Sequence, residues 1–286
     1  MTVVLGLLAG ALAVLFLRVG APDLLSSPVL ERENYRGHRL ATAAGIFIVV
    51  AVLVVEAGRA VLGAIGLGDD PGLTVDRSLV LFAVFAFGLL GFVDDVLGDD
   101  SARGFTGHVG ALAQGRITTG FLKLFGGAGV AIVLVATPGF ASGRRLIVDA
   151  VLIALAANLG NLLDRAPGRT LKCAAVAYVP LALLLGTGAA GVAIAPAMGA
   201  AFALLPDDLG ERVMLGDTGA NVVGAVLGLG VVLGRGETTR VTALVVLVVL
   251  TVVAEVSSFS RIIDRVPPLR WLDRLGTLPA RRAAKG

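Results

Sequence analysis

The stretch VLFAVFAFGLLGFVDDVLGDD, residues 80–100, joins a long apolar run to four aspartates. The apolar part lacks polar alternation, which favours a helix over a strand. Charged groups at the end of a membrane span are energetically expensive, so Asp94 and Asp95 are candidates for function. Asp99 and Asp100 lie further along the chain and are expected to be solvated loop residues. The stretch therefore predicts a transmembrane helix that ends at a polar site; the alternative is a solvated terminus that only stops the span.

The composition of the whole chain extends this prediction to a membrane protein. Of its 286 residues, 56% are hydrophobic and 16% are charged, with a mean hydropathy of +0.91. Soluble domains carry about 25% charged residues, and recurring apolar stretches of about 20 residues are typical of membrane spans. We therefore expect an all-α, polytopic helical bundle in the membrane. The single cysteine excludes an internal disulfide framework, and two histidines argue against an imidazole-rich zinc site.

Hydropathy predicts nine transmembrane helices, with ten as the alternative. They cover residues 2–19, 42–66, 78–93, 121–137, 146–163, 172–186, 188–205, 218–234 and 239–257. Residues 1–257 are thus expected to form a transmembrane domain, and residues 258–286 a basic tail. In the tail, apolar residues are interspersed with arginines, which is typical of an amphipathic segment on the membrane surface with Trp271 as its anchor.

The distribution of Lys and Arg predicts the orientation, because basic residues concentrate on the cytoplasmic side. With nine spans, one side of the membrane receives 18 of the 24 basic residues, in segments 18–41, 94–123, 164–172, 206–217 and 258–286. We expect this side to be cytoplasmic, the N-terminus to be external, and the chain to lie in the plasma (inner) membrane. Every polar cluster of chemical interest falls on the same side.

Asp94 and Asp95 carry the first candidate chemistry. Adjacent residues of a helix point about 100° apart, so the two carboxylates face different directions at the helix end. Hard oxygen ligands beside an apolar region suit Mg²⁺, which takes one or two carboxylates and the phosphates of a substrate. Lys123 begins a later span in TTGFLKLFGG, where it could bind a diphosphate, balance the aspartates or simply extend to the interface.

The stretch MLGDTGANVVG places Asp217 just before an apolar helix. Gly216 and Gly219 allow a backbone to approach a ligand closely. Thr218 is predicted to be the N-cap, and the positive end of the helix dipole would then favour a phosphate. The alternative is an ordinary capped helix start.

The stretch NLGNLLDR places Asn158, Asn161 and Asp164 on one helical face, because they are three residues apart. They could bind a polar ligand or form hydrogen bonds between helices. Arg165, Arg169 and Lys172, which follow, could grip phosphates or act as anchors on the cytoplasmic side.

In their order along the chain, these motifs resemble those of the polyprenyl-phosphate sugar-phosphate transferases, glycosyltransferase family 4, which include phospho-N-acetylmuramoyl-pentapeptide transferase. NYRGHRLATAAG is similar to the first cytoplasmic loop of that family and LLGFVDDV to its Asp-Asp motif. FLKLFGG matches the position of its lysine, and NLGNLLD resembles its Asn-x-x-Asn-x-x-Asp motif. MLGDTGAN, the most specific of the set, resembles its Phe-Met-Gly-Asp-Thr-Gly-Ser motif.

The resemblance implies a Mg²⁺-dependent enzyme, with Mn²⁺ as the alternative ion. It would transfer an amino-sugar 1-phosphate from a UDP-sugar to a polyprenyl phosphate and release UMP, in the synthesis of peptidoglycan or envelope polysaccharide precursors. By the same resemblance, the catalytic residues are Asp94, Asp95 and Asp217, with Asp217 and Asp95 on the metal. Substrate contacts are implied for Arg36, Lys123, Asn158, Asn161, Asp164, Gly216 and Thr218. Membrane lipids are expected partners, nucleic acid is not, and the chain could pair with a second copy.

Two departures from the family pattern leave an alternative open. After Asp164 the family continues Gly-x-Asp-Gly, whereas this chain reads DRAPGR. No histidine follows His108, although the family carries a histidine-rich cytoplasmic loop where SSFSRIIDRVPP stands here. The alternative is a non-catalytic relative that binds a lipid phosphate or a partner and regulates envelope synthesis. A transporter is a weaker reading, because its carboxylates should lie at mid-membrane on broken helices.

Overall fold

The computed structural model describes residues 2–68, 72–98, 118–137 and 142–279, and within them the chain is an all-α bundle with one short hairpin. Asp99, Asp100 and His108 lie outside the described residues. The long helices are α1 (Val3–Gly20), α2 (Ile46–Ala64), α3 (Val75–Leu97), α4 (Thr119–Ala136), α5 (Gly143–Leu163), α6 (Arg169–Leu185), α7 (Ala189–Ala203), α9 (Gly216–Gly234) and α10 (Glu237–Val256). The short helices are α8 (Leu205–Leu209), α11 (Phe259–Arg265) and α12 (Pro267–Arg274).

The long helices of the described residues match the nine predicted apolar stretches, and the chain is a polytopic membrane protein. Within the described part of the chain, eight helical segments are long and apolar enough to cross a membrane, with α7 and α8 counted as one segment from Ala189 to Leu209. The remaining helix, α6, has 17 residues and carries Arg169 and Lys172 in its first turn. At about 1.5 Å per residue it lies at the lower limit of a membrane span.

Consecutive long helices run in opposite directions. The contacts that show this join the end of α3 to the start of α4, the end of α5 to the start of α9, and the start of α6 to α8. The tail after α10 contacts the start of α6. All these ends therefore meet at one face of the bundle, which we call the site face, and α6 crosses the bundle like its neighbours.

Helix α9 is the centre of the bundle. It packs most closely on α5 and α3 and is buried along most of its length, whereas α10 buries only Arg240. Small residues make this packing possible: a Cβ on Gly160 would overlap the carbonyl oxygen of Ala220, and one on Gly224 would overlap that of Ala156. Close approach through glycine is a common way for helices to associate in lipid.

A short hairpin ties the start of α9 to the start of α2. Strands β1 (Glu31–Glu33) and β2 (Arg39–Ala41) pair antiparallel. At the last residue of β2, the N–H of Met214 donates to the carbonyl of Ala41 at 2.8 Å, and beyond the strand the N–H of Gly45 donates to that of Leu215 at 2.9 Å. The two helix starts are thus fixed side by side at the site face.

The opposite face of the bundle holds buried ion pairs. Glu56 of α2 accepts from Arg59 at 3.1 Å and also from Arg77 of α3. Asp149 of α5 accepts from Arg240 of α10 at 2.8 Å. A charged group inside a bundle must be paired, so these residues serve the structure at that end.

Candidate functional site

Four helices bring one lysine, two aspartates and one asparagine together at the site face. The ammonium of Lys123, in the first turns of α4, donates to Asp94 Oδ2 near the end of α3 at 2.8 Å and also to Asp217 Oδ2 at the start of α9. Asn161 of α5 donates its amide to the same oxygen of Asp217 at 3.1 Å. These predicted residues, which come from distant parts of the sequence, therefore form one cluster.

The cluster is only partly buried. The side chains of Asp94, Lys123 and Asp217 keep 19%, 24% and 22% of their surface exposed. A ligand from the site face can therefore reach the charges directly. Two carboxylates share one ammonium, so the formal charge of the three side chains is negative and favours a further cation.

Asp95 has a different role from Asp94. Its Oδ1 accepts from the N–H of Asp217 at 3.0 Å, and its Oδ2 accepts from the N–H and the hydroxyl of Thr218 at 2.9 and 2.6 Å. Thr42 Oγ1 adds a longer contact to Oδ1 at 3.4 Å. The buried Asp95 carboxylate of α3 therefore caps the start of α9, a role that is usually filled by a side chain next to the helix in sequence.

This arrangement corrects the predicted start of α9. Thr218 was expected to be the N-cap, but the helix begins at Gly216 and Thr218 lies in its first turn, completely buried. The prediction failed because Asp95 of α3 satisfies the first N–H groups, which a reading of adjacent residues could not detect. The N–H groups of Asp217 and Thr218 are consequently occupied and do not form an open phosphate site.

Gly216 is required where it stands. Its φ is +72°, a left-handed conformation that favours glycine, and an added Cβ would lie 2.6 Å from both Ala43 N and Asp95 Oδ2. Gly91 of α3 permits a similar approach, because a Cβ there would overlap the carbonyl of Asp217. These two glycines allow the chain around Asp217 to pack closely against its neighbours.

The three polar residues at the end of α5 lie in different surroundings. Asn161 reaches Asp217, as described, whereas Asp164 is the C-cap and accepts from Thr170 Oγ1 at 3.4 Å. Asn158, one turn before Asn161, is half-buried and makes no side-chain hydrogen bond within the described residues. Burial raises the pKa of Asp164 well above its ordinary value, and the nearby carboxylates of Asp208 and Asp217 raise that pKa further.

A cavity of about 340 Å³ lies beside Asp164. Its walls come from the hairpin, from the loop between α5 and α6, and from the segment between α7 and α9. The lining includes Glu33, Asn34, Tyr35, Asp164, Arg165, Pro167, Asp208 and Glu211. The altered DRAPGR sequence thus forms one wall of this cavity.

Asp208 and Glu211 were not singled out from the sequence. Asp208 accepts from the N–H of Gly168 at 3.0 Å, and Glu211 accepts from the Asn34 amide at 3.0 Å. A signal was available, because Asp207 and Asp208 are adjacent aspartates at the end of an apolar run, as Asp94 and Asp95 are. Arg32 was also missed: it caps the end of α3 by donating to the carbonyl of Asp95 at 2.7 Å.

Arg36 belongs to a separate network. Its Nε lies 3.0 Å from Glu211 Oε1, and its Nη2 donates to the carbonyl of Leu278 in the tail at 2.8 Å. The structure therefore places Arg36 between the hairpin and the tail, and gives it no contact with Lys123 or Asp217. Its substrate contact stays a prediction.

The donor set fits a divalent cation that arrives with a phosphate ligand. Among the described residues no group of three His, Cys, Asp or Glu side chains is placed to hold a metal by itself. Mg²⁺ needs only one or two protein carboxylates when substrate phosphates complete its shell. Asp94 and Asp217 already converge on one cationic atom, so this pair suits the ion, whereas the oxygens of Asp95 are taken by α9. The metal contact of Asp95 stays a prediction.

No family model matches this chain, and no match was found among curated proteins.

Proposed function

We propose that the chain transfers an amino-sugar 1-phosphate from a UDP-sugar to a polyprenyl phosphate at the cytoplasmic face of the plasma membrane, releasing UMP. The observation that carries the proposal is the cluster of Asp94, Lys123, Asn161 and Asp217, which four helices assemble at one face. The motif order that resembles the transferases named above supports the same reaction. The N-terminus would then be external and the tail cytoplasmic.

In this reaction a phosphate oxygen of the lipid attacks the β-phosphorus of the UDP-sugar. The bond from that phosphorus to the lipid oxygen forms, and its bond to the bridging oxygen of the α-phosphate breaks, so that UMP takes the electron pair. Asp94 and Asp217 would hold Mg²⁺, which when bound neutralises charge on the diphosphate. With Asp94 and Asp217 on the ion, Lys123 would be free to neutralise a phosphate oxygen of the substrate.

The remaining residues position these groups. Asn161 fixes the orientation of the Asp217 carboxylate by donating to Oδ2, and Asp95 fixes the first turn of α9 on which Asp217 stands. Since charge stabilisation and alignment supply most of the catalysis in phosphoryl transfer, small displacements of Asp217 should reduce turnover strongly. The cavity beside Asp164 is the site we assign to the nucleoside or sugar of the donor.

A second function is favoured by a specific observation. The wall of this cavity contains Arg165 and Pro167, where the family carries a Gly-x-Asp-Gly stretch. Four carboxylates also line the cavity, namely Glu33, Asp164, Asp208 and Glu211. A relative that has lost transfer but still binds a lipid phosphate or a partner would tolerate such a change. It would regulate envelope synthesis instead of catalysing a step of it.

The experiment is turnover by the purified protein with undecaprenyl phosphate, Mg²⁺ and a panel of UDP-sugars, followed by release of UMP. We expect release with at least one sugar and its loss in Asp217→Asn. Asp76→Asn is the matched control, because it removes a carboxylate from the opposite end of α3. No release with any sugar would reject the enzyme, and binding of undecaprenyl phosphate without release would support the regulatory alternative.

A further inference from the structure

The tail after α10 is bound to the bundle by a buried charge pair. Arg169 of α6 donates from Nε to Asp273 Oδ1 at 2.7 Å and from Nη2 to Oδ2 at 3.0 Å, and its Nη1 donates to Ser260 Oγ at 3.0 Å. Lys172 adds hydrogen bonds to the carbonyls of Leu272 and Asp273. Arg169 is 5% exposed, so its bidentate ion pair with Asp273 is shielded from water and stronger than a surface ion pair.

A second attachment lies a few residues further on. Arg36 of the hairpin donates to the carbonyls of Leu278 and Pro279, at 2.8 and 3.2 Å. Between the two attachments, Gly276 lies against Leu209 of α8, which a Cβ on Gly276 would approach to 3.3 Å. The tail therefore touches three parts of the protein in succession: α6, α8 and the hairpin.

These are the parts that carry the walls of the cavity. Each residue that the tail contacts lies just after residues that line the cavity. These lining residues are Ala166 and Pro167 before Arg169, Asp208 before Leu209, and Asn34 and Tyr35 before Arg36. A segment bonded to opposite walls limits how far they can separate. The tail is thus placed to set the width of the cavity without lining it.

The other face of the tail is apolar and unpartnered within the described chain. Helix α12 places Leu269, Trp271 and Leu272 in one half of its circumference and Arg270, Asp273 and Arg274 in the other. Leu269, Trp271, Leu272 and the following Leu275 are 44%, 67%, 39% and 50% exposed.

The position of this face indicates what covers it. Helix α10 can cross the membrane and ends at Val256, and α11 begins at Phe259. The tail therefore starts at the boundary of the lipid. An amphipathic helix with a tryptophan on its apolar face and arginines on its polar face is suited to that boundary.

We propose that residues 258–279 are a membrane-anchored strap: the apolar face of α12 inserts into the lipid surface, while Asp273 and the carbonyls of residues 278 and 279 hold the walls of the cavity together. The strap couples the membrane surface to the opening of the cavity. It does not depend on the reaction proposed above, because it rests on the tail contacts alone.

Trp271 tests the lipid contact directly, since it is the only tryptophan of the chain. The full chain is reconstituted in phosphatidylcholine–phosphatidylglycerol vesicles with part of the lipid brominated near the glycerol end of its acyl chains. We expect the brominated lipid to quench the fluorescence and aqueous iodide to leave it largely unchanged. Failure of the brominated lipid to quench would overturn the lipid contact: quenching by iodide would then place the face in water, and quenching by neither would place it against protein.

Hydrogen exchange of residues 31–41 tests the strap. Asp273→Asn removes the negative charge that pairs with Arg169. Neither residue touches the hairpin, so a purely local effect would be confined to α6 and α12. We expect hairpin amides such as that of Asn34 to exchange about tenfold faster, because charge-assisted hydrogen bonds contribute enough free energy for such a change. The matched control is Asp264→Asn, whose carboxylate pairs at 3.4 Å with the exposed Arg274. Faster exchange in α6 and α12 without a change in the hairpin, or an equal effect of both variants, would overturn the strap.

Discussion

Lys123 bonds to both of the carboxylates that we propose as ligands of a divalent cation. With its ammonium bonded to Asp94 and Asp217, the two acids are held close together at a partly exposed end of the bundle. Removing the ammonium leaves their repulsion uncompensated, and the energy of that repulsion is larger beside lipid than in water. The role of Lys123 can therefore be tested through stability as well as through turnover.

Lys123→Met should lower the free energy of unfolding by about 2–4 kcal/mol, because it leaves two half-buried carboxylates unpaired. Added Mg²⁺ should raise the melting temperature of this variant more than that of the wild type, since binding to the native state alone stabilises it. Thermal unfolding in detergent measures both effects. The double variant Lys123→Met, Asp94→Asn is the control and should lose the extra response to Mg²⁺. An equal response of all three proteins would show that Asp94 and Asp217 do not hold the ion.

Asp164 should make stability depend on pH, because its pKa is raised in the folded protein by burial and by neighbouring carboxylates. Above the ordinary value of 3.8 the unfolded chain loses this proton while the folded protein retains it. Stability is therefore lost as pH rises from that value to the raised pKa. Asp164→Asn has no proton to lose, so its melting temperature relative to wild type should increase between pH 4 and pH 8. A difference that stays constant with pH would contradict the raised pKa.

The sequence identified all four members of the cluster but not the separate roles of its neighbouring aspartates. Asp94, Lys123, Asn161 and Asp217 were predicted to share a face, and the structure confirms that they meet. The roles of Asp94 and Asp95 could not be separated, because a 100° difference in direction does not tell which side chain faces the cleft and which faces α9. Only the packing of α3 on α9 decides it.

At the scale of the helix, α9 depends on α3 for its first turn. Asp95→Ala should lower the free energy of unfolding by about 1–3 kcal/mol, since it leaves the buried N–H groups of Asp217 and Thr218 without acceptors. Thr42→Val is the matched control and should have a smaller effect, because the hydroxyl contact to Asp95 measures 3.4 Å. Chemical unfolding in detergent compares them. Equal losses would mean that the carboxylate does not cap the helix.

The contact of α9 with α5 offers a second test at this scale. Gly224→Ala should destabilise the bundle by about 1–3 kcal/mol, because the added Cβ would overlap the carbonyl of Ala156 in a closely packed interface. Gly129→Ala in α4 is the control, since no atom lies within 4 Å of its added Cβ, and it should be neutral or stabilising by up to about 1 kcal/mol. Melting temperatures of the two variants give the comparison. A neutral Gly224→Ala would show that the helices can separate at little cost.

Helix positions were predictable from apolar length, whereas their ends were not. Each predicted span corresponds to a helix, but α6 begins at Arg169 and not at residue 172, and α9 begins at Gly216 and not at residue 218. The reason is the same in both places: a carboxylate from elsewhere satisfies the backbone at the helix start, namely Asp208 at Gly168 and Asp95 at Asp217. Hydropathy detects the apolar run and cannot detect such a partner.

In the whole molecule, the two ends of the bundle carry different kinds of polar residues. The site face collects the cluster, the cavity, the hairpin and the tail, while the other end holds compact ion pairs such as Glu56 with Arg77. Described basic residues such as Arg36, Arg169 and Arg212 also lie at the site face. Because helices of alternating direction connect the two ends, a single orientation in the membrane places every functional candidate on the same side.

We expect the site face to be cytoplasmic, and this orientation predicts which residues a membrane-impermeant maleimide can reach in intact cells. In a Cys173→Ser background, a cysteine at Leu67, beyond α2 at the opposite end, should react from outside. A cysteine at Arg274, in the tail, should react only after the membrane is permeabilised. Both side chains are exposed, at 74% for Leu67 and 68% for Arg274, so burial does not explain a difference between them. The excess of basic residues on the site face is the physical reason for the direction. Labelling of Arg274→Cys in intact cells together with protection of Leu67→Cys would reverse the orientation, and would place the proposed site outside the compartment in which UDP-sugars are made.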